Sequence, residues 1–250
     1  MTPVRDRTAW LQGGESICLQ PPTRVDHIWR LVLLGPPGSG KGTQADLLSH
    51  SLGACPLTTG DVFRTALGRP APPGSALAAA REQMARGELV TDQTVLALIR
   101  ERSRCLHCSG GFMLDGIPRT LEQAESIDAL LKAENLQLDA VVSYELPASE
   151  IIARVSGRRI CPACHSVFHL ATRRPRREGV CDRCGGVLEQ RGDDRPDAVR
   201  VRIEAYLSDT VPLTAHYARQ GLLIPIRATG QPVEILAQTL DLLALRVLGL

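Results

Sequence analysis

The stretch "GPPGSGKGTQ", residues 35–44, constrains this chain most, because it joins an apolar run, "LVLL", to a helix-like one, "ADLLSHSL". Gly35, Gly38 and Gly40 let the backbone take dihedrals closed to other residues and lie close to a ligand. A loop that leaves a strand and enters a helix in this way presents a ring of N–H donors at the positive end of the helix dipole. That arrangement cradles an anion, and Lys41 would set its ammonium on the β- and γ-phosphates of a nucleotide. Gly38, Ser39, Gly40, Lys41, Gly42 and Thr43 are therefore the candidate phosphate-binding residues. In the usual pattern a hydroxyl directly after the lysine helps hold magnesium; Gly42 has none, so Thr43 is the nearest candidate.

Around this loop the sequence alternates short apolar runs with helical patterns. Strands are expected at 30–35, 111–116, 140–146 and 222–226, and helices at 41–51, at 148–158 and from about 232. Alternation of this kind implies an α/β fold with a parallel sheet covered by helices on both faces. Two stretches interrupt it: 58–92, mostly helical with a break at "GRPAPPGS", and 159–193, which holds paired cysteines and "RRPRR". Residues 1–29 mix proline, glycine and charge without a period and read as a flexible or loosely docked extension. The 250 residues fit one core with insertions.

Composition excludes several classes. A net charge of +2 is too small to argue for nucleic acid or an anionic membrane as partner. No apolar run approaches the ~18 residues of a membrane span, and no apolar segment follows the early arginines as in a secretory leader. The cytoplasm is the default expectation.

Asp115 closes the apolar "GFMLD" and would stand at the carboxyl edge of the sheet, where open α/β sheets bind ligands and a magnesium shell needs an anion. Alone, such an aspartate is equally a turn or helix cap. Of eight cysteines, four form two Cys-x-x-Cys pairs, Cys161/Cys164 and Cys181/Cys184, sixteen residues apart. That spacing fits a closed tetrahedral site for a structural Zn2+, with iron or four free thiols as the bland readings. A further pair, Cys105 and Cys108, has no partner pair and reads as incidental thiols, as do Cys18 and Cys55.

The motifs "GPPGSGKGTQ", "TTGDVFR", "GELVTD", "GFMLDGIPRT", "VSGRR" and "QRGDDRPDAVRVRIEAY" occur in this order, and together they resemble adenylate kinase, a nucleoside monophosphate kinase. The resemblance runs from Arg30 to near the C-terminus, and it covers the Gly42 departure, since the family's own loop reads GKGT. It implies a P-loop kinase three-layer fold with a five-stranded parallel sheet. The core would comprise 30–57, 93–158 and 194–250, with a monophosphate-binding insertion at 58–92 and a zinc-binding lid at 159–193. The implied activity is reversible transfer of the γ-phosphoryl group of Mg2+-bound ATP to AMP, giving two ADP, by a monomer with no nucleic-acid or membrane partner.

By the same resemblance, Lys41, Asp115, Arg119, Arg158, Arg191, Asp193 and Arg202 serve catalysis. ATP is met by residues 38–43, Arg154, Arg158, the backbone at Val167 and Phe168, and Gln231 or Gly230. AMP is met by Thr59, Arg64, Glu88, Leu89, Val90, Gly116, Ile117, Pro118, Arg119, Gln123, Arg191 and Arg202. A planar guanidinium pairs with two phosphate oxygens at once, which suits arginine to this work. Gln123 has the amide needed to read the Watson–Crick edge of adenine, and Thr59 stands where similar kinases for uridine or cytidine monophosphate usually carry alanine. Arg154 and Arg158, four apart, are expected on one face of one helix. Two alternatives stay open: another nucleoside monophosphate as acceptor, or an ATPase whose arginine-rich zinc ribbon grips nucleic acid.

Overall fold

Alternate residues of the first strand, β1 (Trp29–Leu34), serve different sides of a sheet: Leu31 and Leu33 join one apolar cluster, Val32 and Leu34 the other. A strand without a polar face has to be buried on both sides. Accordingly β1 is central in a five-stranded sheet with β2 (Cys55–Thr58), β3 (Gly111–Asp115), β4 (Ala140–Glu145) and, after the short β5 (Arg158–Ile160) and β6 (Val167–His169), β7 (Leu223–Arg227). The strand order is β2-β3-β1-β4-β7, and every pairing in it is parallel. This computed structural model describes residues 6–13, 16–18, 27–66, 71–86, 90–164, 166–171, 173–190 and 192–249.

Among the described residues the α-helices are α1 (Thr8–Gln12), α2 (Lys41–Leu52), α3 (Thr59–Ala66), α4 (Ala76–Ala85), α5 (Asp92–Arg100), α6 (Leu121–Ala133), α7 (Ala148–Ser156), α8 (Pro196–Ala205), α9 (Val211–Arg219) and α10 (Pro232–Val247). Helices α2 and α10 cover the Leu31/Leu33 face through Ala45, Leu48, Ile235 and Leu243. Helices α5, α6 and α9 cover the other through Leu98, Ile127, Leu213 and Tyr217, so the expected two-faced α/β sheet is present. None of the described helices is long and apolar enough to cross a membrane.

Two local expectations change, and a third is narrowed. The edge strand β2 was not among the strands expected, because four residues containing a proline make a weak strand signal. An edge position tolerates Pro56, since a strand paired on one side leaves room for a missing N–H. Helix α7 stops at Ser156, and Gly157 follows it, so Arg158 opens β5 opposite His169 instead of continuing the helix; Arg154 and Arg158 do not share a helix face. Of the flexible and loosely docked alternatives for the N-terminal segment, residues 6–13 are docked: α1 buries Trp10 to 1% exposure within the core on the Val32 face. The indole is the buried anchor of this short helix, and Leu11 packs against the same core beside it.

Candidate nucleotide site and metal centre

The phosphate loop leaves β1 at Leu34 and enters α2 at Lys41. Gly38 and Gly40 take φ of 80° and 89°, the left-handed region that favours glycine. Gly38 also needs its missing side chain, because a Cβ there would fall 2.6 Å from Val155 Cγ2 on α7. The loop therefore lies against α7, the helix that carries Arg154, whose guanidinium is paired with Glu150 at 3.4 Å.

Lys41 is half-buried, and its Nζ donates to the Gly35 carbonyl at 2.5 Å and the Pro36 carbonyl at 3.0 Å. Burial pushes its pKa from 10.5 down to about 8; Asp115 works against that shift, while Arg119, Arg202 and Arg158 add to it. Groups from three distant parts of the sequence, at 115–119, 158 and 202, therefore act on one ammonium. Sheet register explains part of this: Asp115 pairs with Leu33 on one side and Thr58 on the other, at the edge where the loop begins. Asp115 is buried, and a Cβ on Gly42 would lie 4.0 Å from its Oδ2, so its carboxylate faces the start of α2 where magnesium would need an anion. The Thr43 side of that turn is exposed.

Each described arginine near Lys41 rests on an internal acceptor. Arg119 donates from Nε to the Gly116 carbonyl at 2.8 Å. Arg158 makes a two-pronged pair with Asp194, with Nε to Oδ2 at 2.8 Å and Nη2 to Oδ1. Arg202 reaches the same Oδ1 at 3.4 Å. Asp194 is fully buried.

Beside them, Thr59 opens α3 and is buried, and a Cβ on Gly116 would lie 3.3 Å from Thr59 Oγ1 and 3.4 Å from Arg119 Nη2. Ile117 and Pro118, joined by a cis bond, are buried behind them. Gln123 is buried in the first turn of α6; its Oε1 accepts from the Arg119 N–H at 2.7 Å and its Nε2 donates to Asp92 at 2.6 Å. Val90 comes just before α5, and Gln231 caps α10 beyond the carboxyl end of β7, with Gly230 at φ 104° next to it. Glu88, Leu89 and Arg191 lie outside the described residues, as do the side chains of Arg64 and Asp193.

The lid strands β5 and β6 pair antiparallel, with Phe168 buried and Val167 exposed. The thiols of Cys161, Cys164, Cys181 and Cys184 lie within 4.8 Å of one another. Four sulfurs at about 2.3 Å from a tetrahedral zinc would stand about 3.8 Å apart, so the cluster fits that ion. Cys161 and Cys184 are already at 3.4 Å, and Cys164 and Cys181 at 3.5 Å. Among the described residues no other cluster of histidine, cysteine or carboxylate has this compactness. Burial pushes the Cys55 and Cys105 thiols up to about 12, away from the thiolate form that a reactive cysteine needs.

A family model described as adenylate kinase matches residues 33–222. The chain is also 43% identical over 208 residues to the adenylate kinase of Carboxydothermus hydrogenoformans, covering 83% of this chain and 96% of that one. The chain belongs to the adenylate kinase family. Two more adenylate kinases agree: that of Streptomyces avermitilis is 43% identical over 216 residues, covering 86% of this chain and 96% of that one. That of Anaeromyxobacter dehalogenans is 44% identical over 209 residues, with 84% and 96% covered.

Two residues of this family member that the motifs alone did not single out organise its site. Asp194 is the carboxylate that gathers Arg158 and Arg202; the adjacent acids of "GDD" were a visible signal, but not which of the two faces inward. Asp92, the first residue of α5, receives both Thr120 Oγ1 at 2.8 Å and Gln123 Nε2, and so fixes the loop after β3. Its position after Thr91, the cap of α5, made it look like an ordinary first-turn acid.

Proposed function

We propose that this adenylate kinase family member transfers the γ-phosphoryl group of Mg2+-bound ATP reversibly to AMP, giving two ADP, and does so as a monomer. The observation that carries the reading is the convergence of Lys41, Arg119, Arg158 and Arg202 at one end of the sheet, each held by a backbone carbonyl or by Asp194. Phosphoryl transfer asks little covalent chemistry of a protein; it needs the two nucleotides in line and cations around the charge that spreads over the moving group. Cations already gathered, and already compensated, lose little order when phosphates take over from their resting partners.

In this reading the loop N–H groups at 38–43 hold the donor phosphates and Lys41 leaves the Gly35 and Pro36 carbonyls for them. Magnesium, brought with ATP, neutralises donor charge, and Asp115 and Thr43 are the residues placed to hold its shell. Arg158 and Arg202 pass from Asp194 to the transferring phosphoryl group, a task for which the family resemblance also names Arg191 and Asp193. Arg154 and the backbone at Val167, Phe168 and Gln231 border the donor's ribose and base. On the acceptor side Thr59, Gly116 and Arg119 form a corner for AMP, with Ile117 and Pro118 behind it, and the family resemblance assigns Arg64, Glu88, Leu89 and Val90 to the same nucleotide. Gln123 turns its amide from Asp92 and Arg119 toward adenine. The four lid cysteines hold a structural zinc, which supplies rigidity and leaves no open position for substrate. Closing the lid over the donor excludes water and so protects the phosphoryl group from hydrolysis.

The test is to incubate the protein with Mg2+-ATP and each nucleoside monophosphate in turn and to follow diphosphate. The reading expects turnover with AMP and its loss in Lys41→Met by about 10²–10³-fold, the scale of removing one group that stabilises transition-state charge. Equal turnover with all monophosphates would reassign the acceptor, and hydrolysis stimulated by nucleic acid would replace the kinase reading altogether.

A further inference from the structure

We infer that the segment before the sheet, residues 6–13, positions the acceptor half of the site; the inference rests on the reading of Thr59, Gly116 and Gln123 as the AMP pocket. An N–H inside a core has to find a partner. The indole of Trp10, 1% exposed, donates to the Thr58 carbonyl at 3.1 Å. Thr58 ends β2 and Thr59 begins α3, so this bond grips the chain at the peptide that joins the edge strand to the acceptor helix. Arg7 grips it on both sides of that joint. Its Nη1 donates to the Pro56 carbonyl at 3.4 Å and pairs at 2.9 Å with Asp61 in the first turn of α3.

The other helix of the acceptor side is reached through a relay. Arg102, with its side chain only 2% exposed, donates from Nε to the Trp10 carbonyl at 2.8 Å and from Nη1 to the Leu98 carbonyl at 3.2 Å and to Glu101 at 3.4 Å. The other oxygen of Glu101 accepts from the Ala76 N–H, the first of α4, at 2.7 Å. Gly13 lets the segment leave this knot: its φ is +69°, and a Cβ there would fall 2.6 Å from Arg102 Nη2. A buried guanidinium bonded to two carbonyls and a carboxylate is a costly feature to keep unless its partners hold still. Here the partners are the N-terminal segment, α5 and, through Glu101, α4.

All these bonds fall on β2, α3, α4 and the end of α5, whereas the donor side is built from the loop after β1, α7 and the lid. A clamp on one half only should act on one substrate only. Fixing the start of α3 reduces the order that AMP must impose on binding, and leaves ATP indifferent. Arg7 and Trp10 are thus positioning residues: they touch neither nucleotide and act through the Thr58–Thr59 joint.

Full-length Arg7→Ala, Arg7→Lys and Trp10→Phe test this, the last keeping an aromatic ring in the core while removing the N–H together with the five-membered ring. Steady-state kinetics varying AMP and Mg2+-ATP separately should show KM for AMP raised about threefold to tenfold in Arg7→Ala and Trp10→Phe, the scale of one hydrogen bond. KM for ATP and kcat should stay within about twofold, and Arg7→Lys should recover most of the loss. A common shift of both KM values, or no shift in either, overturns the proposal and leaves the segment a plain fold anchor. Gln123→Ala, run in parallel, separates the two layers of argument. If it raises KM for AMP, the acceptor pocket stands and the Arg7 and Trp10 results decide the clamp alone. If it leaves KM for AMP unmoved, the pocket itself is misassigned and the clamp falls with it.

Discussion

The sheet buries Leu31, Val32, Leu33 and Leu34 between two layers of helices, whereas among its described residues the lid lobe's buried cluster holds only Phe168 and Leu188 beside Cys161 and Cys181. Burial of a large aliphatic side chain contributes about 1.5–3 kcal/mol, so the sheet is stabilised many times over by its own apolar residues. The lobe has too few of them, and its four gathered thiols offer a metal in their place. If the lobe closes over the donor as proposed, the difference teaches how one chain can combine a rigid platform with a moving part. A lobe that draws its stability from inside itself would then swing over the site without disturbing the sheet that positions Lys41 and Asp115.

The comparison is broken most severely by removing the zinc proposed for the four thiols. Chelation, or Cys181→Ser, should unfold the lobe alone, since a structural zinc contributes an apparent ~10–16 kcal/mol in small zinc domains. Hydrogen exchange checks this: amides of β5 and β6 should lose protection and those of β1 and β4 keep it, with zinc content falling from one equivalent to none. The converse change is Leu48→Ala in α2, a fully buried residue in the sheet cluster. It should lower the stability of the whole domain by about 2–5 kcal/mol in denaturant unfolding while leaving the zinc in place.

These contrasts also mark what the sequence disclosed. The loop, β1, β3, β4, β7 and the four lid cysteines were legible because each is local: a glycine spacing, a two-faced apolar run, a Cys-x-x-Cys pair. Asp194 was not, because its role lies in two arginines reached through space, Arg158 and Arg202. The docking of Trp10 was invisible for the same reason; nothing near it in sequence names Thr58 or Arg102 as its partners. Helix α7 read too long because Gly157 inside a run of charged and apolar residues is a weak stop, and only the pairing of Arg158 with His169 makes it firm.

A smaller effect sharpens the platform side. Burial lowers Lys41 from 10.5 to about 8, so between those values the native protein binds fewer protons than the unfolded chain and its stability rises with pH. Phosphates favour the ammonium form, so the affinity for a non-hydrolysable ATP analogue should fall as pH rises through about 8, by at most tenfold per unit. Binding titrations across pH 7–10 check this, and Lys41→Met should flatten both profiles. The smallest effect belongs to the lid. Arg173 lies 5.7 Å from the centre of the Phe168 ring, and Arg173→Ala should cost the lobe about 0.5–1 kcal/mol, read as a modest rise in exchange at β6.

The central claim is that two nucleotides meet end to end over the loop at residues 35–40 and that a phosphoryl group passes directly between them. A single-turnover experiment with ATP labelled at the γ-phosphorus, in the presence of AMP, tests it most directly. The account predicts that the label appears at the β-position of newly formed ADP in the wild-type protein and that Lys41→Met slows its appearance by about 10²–10³-fold. Label released as inorganic phosphate at the same rate with or without AMP would contradict it.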